Sequence, residues 1–337
     1  MTVQPFGLSL AQSLTLPAAV NTALERGADL SSQRATLANA RADLAAKQAD
    51  PSVLIVALTQ SRQGAALEEA RTSQRRLEVT QSVLTAYSNL YEAQQNIAVL
   101  EAQVALDVRN LEVARARLSA RNATQLDVDR ANNTLSSSRQ SLADARAQLP
   151  ILSNRLETLL ASNSSGNLQV AATPAFAQRQ VNQTTLEQGL EARLPNLLQA
   201  AQAVELAELN VRLADNDYTP PVTLRDARTN LENARRNLET ARQNALTSLR
   251  DSVRAVQNAL ERVRIAQQDA ANDQTTLKQD QTRFQSGTIS RLQLQQSEVA
   301  VVRSSYTALQ AVNNYWKALA ALSVAAGQDV LGLGGGQ

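Results

Sequence analysis

Cysteine and histidine are absent from this chain of 337 residues, and aromatic residues make up only 3% of it, with one Trp and three Phe. No disulfide can form, no thiolate can act as nucleophile or ligand, and no imidazole can hold a metal or move a proton near neutral pH. No metal site and no cofactor is expected. Proline is scarce and confined to positions 5, 17, 51, 150, 174, 195, 220 and 221, so 52–149 and 222–337 contain none. Both spans can run as long helix. Extended apolar runs are missing as well. The longest aliphatic stretch, Val53-Leu54-Ile55-Val56-Ala57-Leu58, falls far short of the ~20 residues that a membrane-spanning helix requires. Nor does charge of one sign dominate: 33 basic residues stand interspersed with 31 acidic ones for a net +2. No basic face follows a phosphate backbone, and nucleic acid is not an expected partner. Met1 to Gly7 lacks the basic and apolar regions of a secretory signal, so export would need a leader removed or replaced.

What is present is Ala, Leu and Val for the apolar share and Gln, Asn, Arg and Glu for much of the remainder, the composition of long helices packed side by side. Residues 8–48 read as a first helix with Pro17 in its opening turn and a break near Gly27. Residues 49–64 carry the Val53 to Leu58 run and read either as one strand or as a buried connection. A long helix follows over about 65–119, where Val83, Leu90, Ile97, Val104, Leu111 and Leu118 recur every seven residues as a coiled-coil seam. After a bend, Val128, Leu135, Leu142, Leu149 and Leu156 carry a second seven-residue line to about 162, with Pro150 kinking rather than ending the helix.

Residues 163–182 form a linker, and then the scheme begins again. Gly27-Ala28-Asp29-Leu30 corresponds to Leu194-Pro195-Asn196-Leu197, and the second long helix, about 224–285, repeats the seam with Leu249, Val256, Val263, Ala270, Leu277 and Phe284, shifted by 166. The final helix sets Leu294, Val301, Ala308, Tyr315 and Leu322 against the second line. The chain is therefore expected to be all-α with at most short β segments: a first helical repeat over 8–162, the linker, a second repeat over 183–327 and a flexible tail over 328–337. At 1.5 Å per residue the long helices would extend roughly 80 to 95 Å, and stripes of that length need neighbours along their entire length. Association into a left-handed bundle is the natural completion.

The two bends match. The tip 117–131 opens with Arg117, Leu118, Ser119 and Arg121 and returns through Leu126, while the tip 283–297 opens with Arg283, Phe284, Ser286, Gly287 and Thr288 and returns through Leu292. A surface made twice points to docking, with avidity gained from repeated weak contacts. Asp107 and Asp273 lie in register among seam residues and read as solvated lining, or else as residues that set helix register or pore charge. Carboxylates such as Glu68-Glu69 and Asp127/Asp129 have no convergent partner from another element, so acid/base catalysis is not expected, and the 332–336 glycine run lacks the strand and helix of a phosphate loop.

Arg283 to Leu294 and the closing Asn314-Tyr315-Trp316-Lys317-Ala318-Leu319-Ala320-Ala321-Leu322, together with the twofold repeat from Leu14 to Gly327, resemble the TolC family of outer-membrane efflux and secretion channels. The resemblance implies a homotrimer that closes an α-helical barrel and conducts exported small molecules or polypeptides from the periplasm through the outer membrane. It also implies that the tips bind a periplasmic adaptor joined to an inner-membrane pump. Asp127, Gln293 and Gln296 occupy the places where the family constricts the pore, and so become gate candidates. One departure is plain. The family inserts two membrane strands per repeat, and here 49–64 and about 216–224 leave those regions strongly shortened, so that contact with the outer membrane stays open. The alternative reading is a periplasmic helical scaffold that conducts nothing.

Overall fold

Alanine, leucine and the straight-chain polar residues that fill this sequence are the best helix formers. The computed structural model describes residues 13–162 and 168–333, and among them nine helices follow one another: α1 (Leu16–Arg26), α2 (Ala28–Ala49), α3 (Ile55–Ser119), α4 (Gln125–Leu159), α5 (Gln183–Glu187), α6 (Leu190–Arg193), α7 (Pro195–Ala214), α8 (Pro221–Gln285) and α9 (Arg291–Ala326). No strand occurs among the described residues, and a single parallel bridge joins Leu14 to Val170. The fold class is all-α, as expected.

Helix boundaries follow from local chemistry. The break between α1 and α2 sits at Gly27, where a Cβ would lie 2.5 Å from the Ala23 carbonyl oxygen. Its counterpart is the start of α7, where Pro195 occupies the first turn and needs no hydrogen-bond partner there. Leu30 and Leu197, at matching places in these two helices, are both buried. Pro150 stands inside α4, which continues through it to Leu159.

The run from Val53 to Leu58 is neither a strand nor a buried connection. Asp50 accepts hydrogen bonds from the Ser52 amide at 2.9 Å and the Ser52 hydroxyl at 2.7 Å, which closes a tight turn. α3 then begins at Ile55, ahead of the expected start near 65, leaving Leu54 76% and Ile55 54% exposed. An apolar run of six carries no period of its own, and the Ala-rich sequence after it propagates helix backward over it. The corresponding connection at 215–220 is equally tight: the Asn216 side chain accepts from the Tyr218 amide at 2.9 Å, and Pro221 opens α8.

Packing divides the chain into two units, one of residues up to Ala19 with Thr85–Phe176 and Leu260–Asn314, the other of Val20–Leu84, Ala177–Ala259 and the residues from Tyr315. Each draws on both repeats, so the repeat is a unit of sequence rather than of packing. In the first unit, Leu111, Val128 and Leu135 form a cluster against Val104, Val108, Ala114, Leu118 and Ala131, joining α3 to α4 along the expected seam. Tyr87, fully buried, directs its hydroxyl at the carbonyls of Leu14 (2.7 Å) and Ala171 (2.8 Å) and so fastens the extended segment after α4. Burial pushes that hydroxyl up to about 12. The expected linker is thus fastened at Val170 and Ala171, while 163–167 lie outside the described residues.

In the second unit Leu30, Leu249, Leu319 and Leu322 are buried with Tyr315, whose hydroxyl accepts from the Arg179 amide at 2.9 Å. Four polar pairs tie α8 to the elements before it: Arg228 to Asp215 (4.0 Å), Arg235 to Glu208 (2.9 Å), Arg242 to Glu191 (2.8 Å) and Arg250 to Glu187 (3.8 Å). Residues 328–333 are not a loose tail. Leu331 is 2% exposed, and the Val330 amide donates to the Ser323 hydroxyl at 3.0 Å; the rest of the expected tail, 334–337, lies outside the described residues.

Candidate functional site

Both bends end their long helix in the same way. At the first, the Arg121 amide donates to Leu118 O (2.9 Å) and the Asn122 amide to Arg117 O (2.8 Å); at the second, the Gly287 amide donates to Phe284 O (3.0 Å) and the Thr288 amide to Arg283 O (2.8 Å). These pairs satisfy carbonyls that a helix end leaves open, and they need a left-handed residue in the middle. That residue is Gly287 at φ 73° in one bend and Arg121 at φ 57° in the other. The usual glycine is thus replaced by arginine without any change in the turn.

The return helices are capped alike. Thr124 and Asp127 bond reciprocally, the Thr124 amide donating to the Asp127 carboxylate at 2.8 Å and the Asp127 amide to the Thr124 hydroxyl at 3.3 Å. Ser290 and Gln293 repeat this at 2.9 and 3.2 Å. Each pair is a capping box. Hydrogen bonds from the Thr124 backbone and hydroxyl hold the Asp127 carboxyl below the usual carboxylate range. Asp127 and Gln293, the gate candidates, therefore also hold the starts of α4 and α9, while Gln296 lies exposed one turn further on.

Around this shared backbone the side chains present themselves outward. Arg117, Ser119, Arg121 and Leu126 are exposed on the first tip, with Leu118 half-buried; Arg283, Phe284, Ser286, Gly287 and Thr288 are exposed on the second, with Leu292 half-buried. Phe284 is the one residue of its seam line that reaches the surface, and the Arg291 guanidinium lies 5.8 Å from its ring centroid. That cation–π contact was not legible beforehand, because it joins two helices across a turn of unknown geometry.

Between α8 and α9 the second tip carries a groove of about 410 Å³ lined by Asp280, Arg283, Ile289, Gln293, Gln296, Ser297 and Ala300. Asp280 accepts from the Ser297 hydroxyl at 2.5 Å and lies 3.5 Å from the Arg283 guanidinium. Neither Asp280 nor Ser297 stood among the expected site residues, although the Asp280/Arg283 spacing of one helical turn was a signal. The positions that correspond to them in the first repeat are Ala114 and Ala131, which pack in the apolar cluster.

Asp107 is not solvated lining. It is 3% exposed and accepts from the Ser138 hydroxyl at 2.6 Å and the Gln103 amide at 3.1 Å, with the Asn110 amide at 3.5 Å; Gln103 in turn accepts from Arg303 of α9 at 3.0 Å. Asp273, its partner in the repeat, is half-buried.

The tip, its return helix and the stretch through Gly327 are the part of the chain that a known family shares. Residues 223–328 match the outer membrane efflux protein family. This efflux-protein region takes in α8 from its third residue, the second tip and all of α9.

Solved structures extend the likeness of fold beyond that region. The CmeC outer membrane channel of Campylobacter jejuni is 14% identical, with 93% of this chain and 85% of that one covered at a TM-score of 0.67. The outer membrane protein VceC of Vibrio cholerae is 15% identical over 94% and 96% at 0.64, and the open state of the MtrE outer membrane channel of Neisseria gonorrhoeae is 16% identical over 94% and 89% at 0.56. No curated protein matches in sequence. The shared fold is that of these outer membrane proteins.

Proposed function

We propose that this protein is the channel-tunnel component of a tripartite efflux or type I secretion system, standing in the cell envelope between periplasm and outer membrane. Three copies would close a helical tube that passes exported small molecules or polypeptides, and the two tips of each copy would dock a periplasmic adaptor coupled to an inner-membrane pump. The observation that carries this reading is the pair of bends 166 residues apart with one hydrogen-bond pattern, each presenting an exposed arginine beside an apolar residue. A helix end that only had to turn would not need the same outward residues twice. The efflux-protein match over 223–328 and the likeness of fold to outer membrane channels support it. Asp127, Gln293 and Gln296 are the residues proposed to bias closed against open packing of the tips, a shift between two states of similar energy.

The test is to substitute Arg283→Ala and Arg117→Ala, singly and together, and measure co-assembly with the purified cognate adaptor. Loss in the double variant at unchanged helix content is expected, whereas unaltered binding would refute the tip assignment. A second reading is favoured by the connections at 50–54 and 215–220, which do not reach the ~9–11 residues of one membrane strand. On that reading the molecule is a periplasmic scaffold without a conducting lumen. Discrete conductance steps in planar bilayers support the channel, and their absence at confirmed incorporation supports the scaffold.

A further inference from the structure

The seam between α3 and α4 is built from residues that look alike every heptad: Val104, Leu111 and Leu118 on one side, Val128, Leu135, Leu142 and Leu149 on the other. If one helix were displaced by seven residues against the other, Leu and Val would again meet Leu and Val. Such a seam stabilises pairing without choosing its register. One buried rung is different, the exposed Arg146–Glu101 pair (2.7 Å) being the kind of contact that contributes little. Asp107, buried at 3% exposure, meets Ser138 at 2.6 Å across the helix pair, and the residues one heptad to either side of Ser138 are Ala131 and Ala145. A slipped register therefore faces the carboxylate with a methyl group and leaves a buried charge without its donor from α4. Gln103 and Asn110 lie on α3 itself and travel with Asp107, so they hold the carboxylate in any register and do not select one.

The second hairpin has the converse arrangement. Its polar rung is the half-buried Asp280 on Ser297 at 2.5 Å, but serines also stand at 290 and 304, one heptad to either side. A slip there finds another hydroxyl. Its turn, however, contains Gly287 at φ 73°, which adopts the left-handed conformation without steric penalty, whereas the first turn places Arg121 there at φ 57°. The hairpin with the permissive rung has the determining turn, and the hairpin with the strained turn has the discriminating rung.

We infer that the Asp107–Ser138 contact is the register lock of the first hairpin, fixing which residues form the bend at 119–123, while the second hairpin takes its register from Gly287. The device is independent of whether the tips dock an adaptor. Since the chain lacks cysteine, register can be read by oxidative cross-linking of introduced pairs, monitored by peptide mass within single chains. With Leu111→Cys as the fixed partner, Leu135→Cys reports the native register and Leu142→Cys the register slipped by one heptad.

The native pair alone should cross-link in the parent chain. Asp107→Leu removes the charge and extends the apolar seam, so it folds whatever the role of Asp107, and the slipped pair should rise to a yield comparable with the native one. Moving the serine by one heptad, Ser138→Ala with Ala145→Ser, should make the slipped pair the main product. In the second hairpin, Asp280→Leu should leave the Leu277→Cys/Val301→Cys pair as the sole product. Persistence of the 111–135 product alone in both first-hairpin backgrounds, or a slip in the second hairpin on Asp280→Leu, overturns the inference.

Discussion

A left-handed residue that carries a side chain is strained by roughly 1–2 kcal/mol relative to its right-handed alternative, and glycine is not. Arg121 and Gly287 occupy one geometry with and without that strain, so exchange between them has opposite signs. Gly287→Ala would place a Cβ that meets nothing within 4 Å, and the whole cost is conformational, about 1 kcal/mol. Arg121→Gly relieves the strain but frees the unfolded chain, with a net gain of ~0.5 kcal/mol expected. Urea unfolding of the two variants beside the parent checks both signs. Capping adds a difference between the tips that pH exposes. The Asp127 carboxyl is held below its ordinary value by Thr124, so its contribution is present above the unfolded-state value near 3.9 and is lost as pH falls through the lower folded value. Gln293, in the same place on the second tip, does not titrate. Amide exchange at 124–128 should therefore accelerate relative to 290–294 only as pH falls below about 4, and Asp127→Asn should abolish the difference.

At the scale of elements, the ties between α8 and the helices before it are exposed ion pairs, as at Arg235 and Glu208, whose side chains are 60% and 40% exposed. Such pairs contribute about 0.2–1 kcal/mol each and are screened by salt. Arg235→Ala should lower stability by less than ~1 kcal/mol, with the loss shrinking at 1 M salt, as paired thermal melts at two ionic strengths would show. The seams and the repeat were legible because heptad spacing records which face of a helix is covered: Leu111, Val128, Leu135, Val256 and Val263 are all buried where that spacing puts them. The start of α3 was not, because Val53 to Leu58 has no period and its exposure at Leu54 and Ile55 is set by a turn whose Asp50–Ser52 bonds are invisible as pattern. The bends are legible in their residues, but the role of Asp127 and Gln293 as caps rests on backbone geometry. Asp107 stands out in its seam by residue type alone, and only its burial and its distance to Ser138 distinguish an inter-helix contact from a wet lining.

For the molecule as a whole, the question is what covers the stripes that one chain leaves uncovered. On α8, Leu224, Leu231 and Leu238 recur every seven residues with Ala227, Ala234 and Ala241 between them, yet none is buried, whereas Leu249, Val256 and Val263 further along the same helix are. On α2, Leu37 and Leu44 are likewise only half-buried. A heptad stripe left in this condition forfeits about 25 cal/mol for each Å² of apolar surface that a neighbour would remove from water. If copies of this chain supply that neighbour, the purified protein should sediment as three chains, and Leu231→Asp, a charge placed on the open stripe, should shift it toward the single-chain mass at micromolar concentration. The same substitution barely touches the fold of one chain, because Leu231 is only half-buried there, so helix content should stay within a few per cent by circular dichroism. Sedimentation equilibrium separates the cases: a parent that is monomeric at all concentrations means that the stripes are covered by something other than this chain, and the tube assembled from three copies fails with it.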